Sequence, residues 1–402
     1  MSRFHSYLNS ASGILHSYRG EQPLSIFLKS FFSQNKKYGS NDRKQISNLC
    51  YCYFRLGHAL QQLPTEERLV AGLFLCEQRP QELLENIKPE WNELIALPPD
   101  EKLGMLNFTL RDIFPWQDEM SEEVDKNEFA SSFLVQPDLF LRLRPGQEQV
   151  VKQKLQLANI SFNEINHHCL SLENALQVDK LIELDKEAVI QDYNSQRMEE
   201  FLTPSTPLGT AQNSSTPLQL HAGPFSVYDC CAGSGGKSIL AYDIFKNIHL
   251  TVSDIRKPIL VNLEQRFQRA GIKNYTAFVE DLSILKNKPG NIKHQIFDLV
   301  ICDAPCTGSG TWGRTPEQLY YFRKERIDYY SNLQKNILEN VIHLVRAGGH
   351  LLYVTCSVFK KENEEVVHFL EQEFNLKLEK KELLKGYDKK ADTLFVALLQ
   401  KN

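Results

Sequence analysis

The chain has 402 residues, 42% of them hydrophobic and 24% charged, a balance that excludes a largely disordered protein and leaves room for two or three domains. Its formal charge of -4 excludes a protein that coats nucleic acid through its overall field, so any nucleic-acid site must be a local basic surface. The odd count of nine cysteines, the opening MSRFHSYLNS without an apolar export segment, and the lack of any run of about 20 apolar residues point to reduced thiols in a cytoplasmic protein that does not enter a membrane.

Residues 1–125 carry helical spacing. In NDRKQISNLCYCYFRLGHAL, Ile46, Leu49, Cys50, Tyr53 and Leu56 recur three and four apart, with Asn41 as the expected cap, and LVAGLFLCEQ supplies an apolar partner. Residues 126–202 read as a small α+β module: DLFLRLRPG alternates like a strand, QEQVVKQKLQLANI follows as a helix, and EINHHCLSL and EAVIQDY are short strands. Arg142, Arg144, Lys152 and Lys154 are candidates there for a phosphate backbone. Residues 203–224, rich in Ser, Thr and Pro, are expected to be a flexible surface loop.

From residue 225 to 402 strands and helices alternate. FSVYD, HLTVSD, YTAFVED and FDLVICDAP each bring a carboxylate, Asp229, Asp254, Asp281 and Asp303, to the end of a β-rich run. A long helical stretch from Pro316 to Arg346 and the strand HLLYVT follow. This rhythm predicts an α/β, Rossmann-like doubly wound parallel sheet, which binds ligands beyond the carboxyl ends of its strands.

The stretch VYDCCAGSGGKSIL places a glycine-rich turn between the first such strand and a helix. Gly235, Gly236, Lys237 and Ser238 match the end of a phosphate-binding P-loop, but Cys231 stands where its first glycine is required. A turn of this kind, with an acid such as Asp254 ending the next strand, suits a ribose-bearing cofactor. Dinucleotides and S-adenosylmethionine both meet that description, although GxGxxG spacing is absent. The pairs Cys50/Cys52, Cys230/Cys231 and Cys302/Cys306 lack CxxC spacing and a histidine pair, so no metal is expected. DAPCTGSGTWGR and YVTCSVFKKENEEVV instead place Cys306 and Cys356 just beyond two strands, where a thiolate could add to an electron-poor ring.

These segments resemble the RNA cytosine-5 methyltransferases of the Sun/Fmu family, in DAPCTGSG, in TCSVFKKENEEVV and in VIQDYNSQRM. The N-terminal NDRKQISNLCYCYFRLG is similar to the NusB-like helical domain of its small-subunit ribosomal RNA members. The resemblance implies a class I methyltransferase domain behind an RNA-recognition-like α+β module and a NusB-like domain. It further implies that Cys356 adds to carbon 6 of cytosine, that Asp303 holds the base, that Cys306 assists elimination, and that Lys237 faces the base or its phosphate. S-adenosylmethionine would lie on Cys231, Ala232, Gly233, Ser234, Gly235, Gly236 and Lys237, with Asp254 on the ribose, Asp281 on the adenine and Asp303 near both ligands. The implied substrate is ribosomal RNA, with transfer RNA second and an inactive assembly factor as the competing class; a monomer is expected. RNA contacts fall on Arg256, Lys257, Arg266, Arg269 and Lys273, and on Arg314, Arg323, Lys324 and Arg326 with Trp312, Tyr320, Tyr321 and Phe322 for stacking. Two departures stand out: the family's Ala-Ala-Pro-Gly-Gly-Lys turn has Ser234 in place of proline, and an Arg-x-Asn element appears as Arg142-Leu143-Arg144.

Overall fold

Helix Ser40–Arg55 forms on the expected spacing and buries Ile46, Leu49, Cys50, Cys52 and Phe54. Its cap, however, is Gly39, whose N–H donates to the Asp42 carboxylate at 2.9 Å, so Asn41 belongs to the first turn. Helix Thr65–Cys76 is the apolar partner, buried from Arg68 to Leu75. The computed structural model describes residues 3–174, 176–203, 225–284 and 295–402. All of the Ser/Thr/Pro loop except Thr203 lies outside the described residues. None of the described helices is long and apolar enough to cross a membrane.

Two units divide the chain out of sequence order. The first comprises Met1–Met120, Val124–Pro137 and Thr311–Lys324; the second comprises Ser121–Glu123, Asp138–Gly310 and Glu325–Asn402. In the first, the late segment is core. Trp312 is 1% exposed and packs against Phe114 and Phe322, Trp116 packs edge-on to Phe322, and Tyr320 rests on Phe54. Glu317 is buried and accepts the N–H of Leu24 at 2.9 Å. Base stacking on Trp312 and Phe322 is therefore corrected: their rings serve a hydrophobic interior, and only Tyr321 of the four is exposed. The helical stretch expected over 316–346 is also broken. Helix Pro316–Tyr321 ends at an extended Phe322, a second helix spans Glu325–Val341, and a strand has begun by Val345.

The second unit contains two sheets. The smaller is antiparallel with order β2-β3-β1-β4, from β1 (Leu139–Leu143), β2 (Asn163–Asn166), β3 (Cys169–Leu172) and β4 (Ala188–Ile190). EINHHCLSL is thus a hairpin rather than one strand, with His167 and His168 at its turn. Helix Glu148–Leu157 covers this sheet with Val151 and Leu155. Arg142 and Arg144 do not offer charge to a phosphate. Both pair with Asp243, at 2.6 and 2.5 Å, with side chains 5% and 11% exposed. Lys152 and Lys154 pair with Glu164 and Glu187.

The larger sheet has seven strands: β5 (Phe225–Asp229), β6 (Ile248–Asp254), β7 (Tyr275–Val279), β8 (Phe297–Asp303), β9 (Val345–Thr355), β10 (Leu376–Leu384) and β11 (Leu394–Lys401). Their order is β10-β11-β9-β8-β5-β6-β7. Strands β5 to β9 pair in parallel, while β11 runs antiparallel to both β9 and β10. The expected Rossmann-like α/β architecture is present, with an antiparallel edge. Val227, Leu250, Val252, Leu299 and Ile301 pack with Ile239 and Leu240 of helix Gly236–Phe245 and with Leu263 and Phe267 of helix Lys257–Ala270. Strand order reverses between β5 and β8, and such a switch point opens a crevice at the carboxyl ends of the strands.

Candidate active site

The turn after β5 is fixed by its neighbours. The N–H groups of Cys230 and Ala232 donate to the carbonyls of Ile301 and Ser253, at 3.0 and 2.9 Å. Gly235 has φ +83°, and a Cβ there would come within 2.8 Å of the Phe267 ring, so backbone and packing both demand glycine. Ser234, in the place of the family's proline, accepts from Arg266 Nη1 through its carbonyl at 3.0 Å and its hydroxyl at 2.9 Å. Hydrogen bonds thus supply the stiffness that proline would have given.

That arrangement withdraws Arg266, 13% exposed, from the expected RNA surface, in a pair with Asp185 at 2.7 Å; Arg269 and Arg256 also pair, with Asp185 at 2.7 Å and Asp254 at 2.9 Å, but stay exposed. Lys257, Lys273, Arg323 and Arg326 remain exposed. Lys324 pairs with Glu119.

The strand-end carboxylates differ in their hydrogen-bond partners. Asp254 accepts the Gly233 N–H at 3.0 Å; burial works to raise its pKa, but the Arg256 guanidinium and backbone N–H outweigh burial and hold it below the ordinary carboxylate value. Asp229 is fully buried and accepts only from Ser238 Oγ, at 2.6 Å, while its Oδ1 has no partner. Burial pushes its pKa up to about 7. Asp281 turns away to accept from the N–H and hydroxyl of Ser283, at 2.9 and 2.5 Å. The neighbouring Glu280 N–H donates to the Asp254 carbonyl at 3.4 Å, which sets this loop beside the end of β6.

Across the switch point, Lys237 Nζ lies 2.6 Å from Asp303 Oδ2. Burial disfavours the Lys237 ammonium, yet Asp303, with help from Cys356, outweighs it and raises the pKa above that of an ordinary lysine. Beyond β8 and β9, Cys306 Sγ stands 3.2 Å from Cys356 Sγ, and both thiols are free. The Cys306 thiol is pushed well above its usual pKa, first by its hydrogen bond with Cys356 and then by burial. The structure thus brings Lys237, Asp303, Cys306 and Cys356 to adjacent strand ends, and sets Cys231 through Gly236 along the turn beside Asp254.

Sequence reasoning missed what holds the two cysteine loops together. The buried Glu362 carboxylate accepts from the Thr307 N–H and hydroxyl, at 2.8 and 2.7 Å, from Ser357 Oγ at 2.7 Å and from Gln334 Nε2 at 3.1 Å. Thr307 follows Cys306 and Ser357 follows Cys356. Asn363 adds a bond from Thr355 Oγ1 at 2.6 Å and one to the Ser357 carbonyl at 2.9 Å. Gly310 donates its N–H to the Cys356 carbonyl at 2.8 Å, and a Cβ there would meet the Thr393 carbonyl at 2.0 Å. The available signal was the density of Thr, Ser, Glu and Asn in loops that follow apolar strands.

A family model described as "16S rRNA methyltransferase RsmB/F" matches residues 216–398. Ribosomal RNA small subunit methyltransferase B of Proteus mirabilis is 25% identical over 309 residues, 69% of this chain and 67% of that protein. The probable ribosomal RNA small subunit methyltransferase B of Bacillus subtilis is 32% identical over 150 residues, 37% of this chain and only 33% of that protein. Among solved structures, PH0851 superposes with a TM-score of 0.69 at 20% identity, covering 94% of this chain and 95% of that one. That likeness establishes the fold over nearly the whole chain.

Proposed function

We propose that the chain, whose residues 216–398 match the RsmB/F methyltransferase model, belongs to that family and transfers a methyl group from S-adenosylmethionine to carbon 5 of a cytosine in small-subunit ribosomal RNA. The observation that carries this reading is the pair of free thiols, Cys306 and Cys356, 3.2 Å apart beside the Lys237–Asp303 ion pair. Carbon 5 of cytosine is too poor a nucleophile unaided, and thiolate addition at carbon 6 makes it enamine-like. A protein that only binds RNA has no physical use for two thiols at one crevice, which argues against an assembly factor without activity.

The residues present fit the methyl donor. Asp254 ends β6 with an oxygen able to accept ribose hydroxyls, the turn from Cys231 to Gly236 admits close backbone approach, and Asp229 Oδ1 is a buried acceptor without a partner. When bound, S-adenosylmethionine supplies an electrophilic methyl group. The Cys356 thiolate forms the bond to carbon 6, Asp303, held by Lys237, accepts a hydrogen bond from the exocyclic amine of the base, and the Lys237 ammonium faces the negative charge that the addition places on the ring. After methylation the proton on carbon 5 leaves, with Cys306 assisting, and the Cys356–carbon 6 bond breaks. Asp281 would reach the adenine only from the loop it now closes on Ser283. The target cytosine must be flipped out or unpaired, since stacking hides carbon 5 and carbon 6 from a side chain.

The test is transfer of labelled methyl from S-adenosylmethionine to ribosomal RNA taken from cells lacking this activity, followed by nucleoside analysis. Label in 5-methylcytidine that vanishes with Cys356→Ala supports the reading. Label in another nucleoside, or in transfer RNA alone, would replace it.

A further inference from the structure

Three of the nine cysteines form a second cluster beside the thiol pair. Cys230 and Cys231 open the turn after β5, and Cys302 is the penultimate residue of the adjacent β8. Their sulfurs all lie within 4.8 Å of one another. Cys230 is 1% exposed, Cys302 is fully buried and Cys231 is partly exposed. Three metal–sulfur bonds of about 2.3 Å in a trigonal plane would separate their sulfurs by about 4 Å, so the cluster has the dimensions of such a site with only small side-chain adjustment.

From this geometry we infer that Cys230, Cys231 and Cys302 bind one thiophilic cation of low coordination number, Cu(I), as a trigonal three-sulfur site. Linear spacing conceals it, because two ligands are vicinal and the third comes from the neighbouring strand 71 residues later. Soft thiolate ligands suit Cu(I) and zinc alike, and a set of three without a fourth favours Cu(I), since zinc takes four ligands. Binding releases to solvent the proton of each sulfur that becomes a thiolate, with no change in the oxidation state of metal or sulfur. Partly exposed Cys231 provides the entry, and the Arg256 guanidinium is close enough to respond to its charge.

The full chain, reduced and metal-free, would be titrated anaerobically with Cu(I) in competition with bathocuproine disulfonate. Since the Cys306/Cys356 pair could also take the ion, the titration would be repeated with Cys306→Ser/Cys356→Ser and with Cys230→Ala/Cys302→Val. Loss of one tightly bound equivalent with the second variant, and its retention with the first, would support the site, as would copper-edge absorption showing three sulfur neighbours. An unchanged stoichiometry with the second variant would overturn it. Should that variant fail to fold, alkylation of the unmodified chain decides: Cu(I) must protect Cys231 from iodoacetamide, and an unprotected Cys231 overturns the proposal. None of these readings depends on methyl transfer, so the site and the proposed activity stand or fall separately.

Discussion

Cys306 Sγ and Cys356 Sγ are 50 residues apart in the chain and 3.2 Å apart in space. Parallel pairing of β8 with β9 produces this approach, and the distance allows one thiol to act on the same base as the other. Cys356→Ala is expected to abolish methyl transfer while leaving S-adenosylmethionine binding intact. Cys306→Ala is expected to accumulate a denaturant-resistant protein–RNA adduct. Calorimetric cofactor titration and gel analysis of RNA–protein species check the two outcomes; full turnover by Cys306→Ala would remove its assigned part in elimination.

Lys237→Met should lower kcat by roughly 100-fold, the loss typical of one preorganised charge at a developing anion. Its effect on stability should be smaller, about 1–3 kcal/mol, because the Asp303 side chain is 33% exposed and water can replace part of the lost pairing. Steady-state kinetics and urea unfolding of the same preparation separate the two effects.

The fully buried Asp229, with its pKa raised from 3.8 to about 7, makes a pH prediction of definite sign. The folded state binds this proton more tightly than the unfolded one. The contribution is therefore fully present below the unfolded value of 3.8 and is lost as pH rises through about 7. The shift corresponds to at most about 4 kcal/mol. Asp229→Asn, which keeps an acceptor for Ser238, should raise Tm relative to the unmodified chain by an amount that widens from about pH 4 to about pH 7 and stays constant above that. Thermal melts across that range are the measurement, and a constant difference would contradict the assignment.

The charge cluster on Asp243 predicts a change in stability without a change in RNA electrostatics. Asp243→Ala leaves Arg142 and Arg144 buried without their shared carboxylate and should cost about 3–5 kcal/mol. At temperatures where the variant is folded, the salt dependence of its RNA affinity should match the unmodified chain. A shifted slope would mean that these arginines reach phosphate after all.

Glu362→Ala should separate the two cysteine loops. Four donors, from Thr307, Ser357 and Gln334, lose their common acceptor. We expect kcat to fall by at least about 10-fold with little change in cofactor affinity, since 1 Å of misplacement can cost more than that. Rescue by Glu362→Gln should be partial, because an amide has one accepting oxygen where the carboxylate has two.

The alternation of β-rich runs and acids made the Rossmann-like sheet legible; Cys306, Cys356 and Asp303 became candidates because each ends or follows a strand, Lys237 because it closes the glycine-rich turn, and their roles came from the family resemblance. What escaped depended on partners distant in the chain. Arg142, Arg144, Arg266 and Arg269 looked available for RNA because nothing local reveals Asp243 or Asp185 beneath them. Trp312 and Phe322 had the composition of a stacking surface, and burial against Phe114 and Trp116 cannot be read from spacing. The turn at His167 and His168 was missed because apolar alternation continues on both sides of it.

The placement of Thr311–Lys324 among the N-terminal helices bears on how such a chain can be divided. No single cut separates the two units, because the polypeptide leaves the unit with the large sheet after Gly310 and returns to it at Glu325. A fragment beginning at Asp138 would carry Trp312, Tyr320 and Phe322 without the rings of Phe114, Phe54 and Trp116 that pack against them, and would expose a sticky apolar strip. The N-terminal helices are thus a built-in chaperone for fourteen residues of the polypeptide's later half, and their loss by proteolysis or gene truncation would be felt first as aggregation.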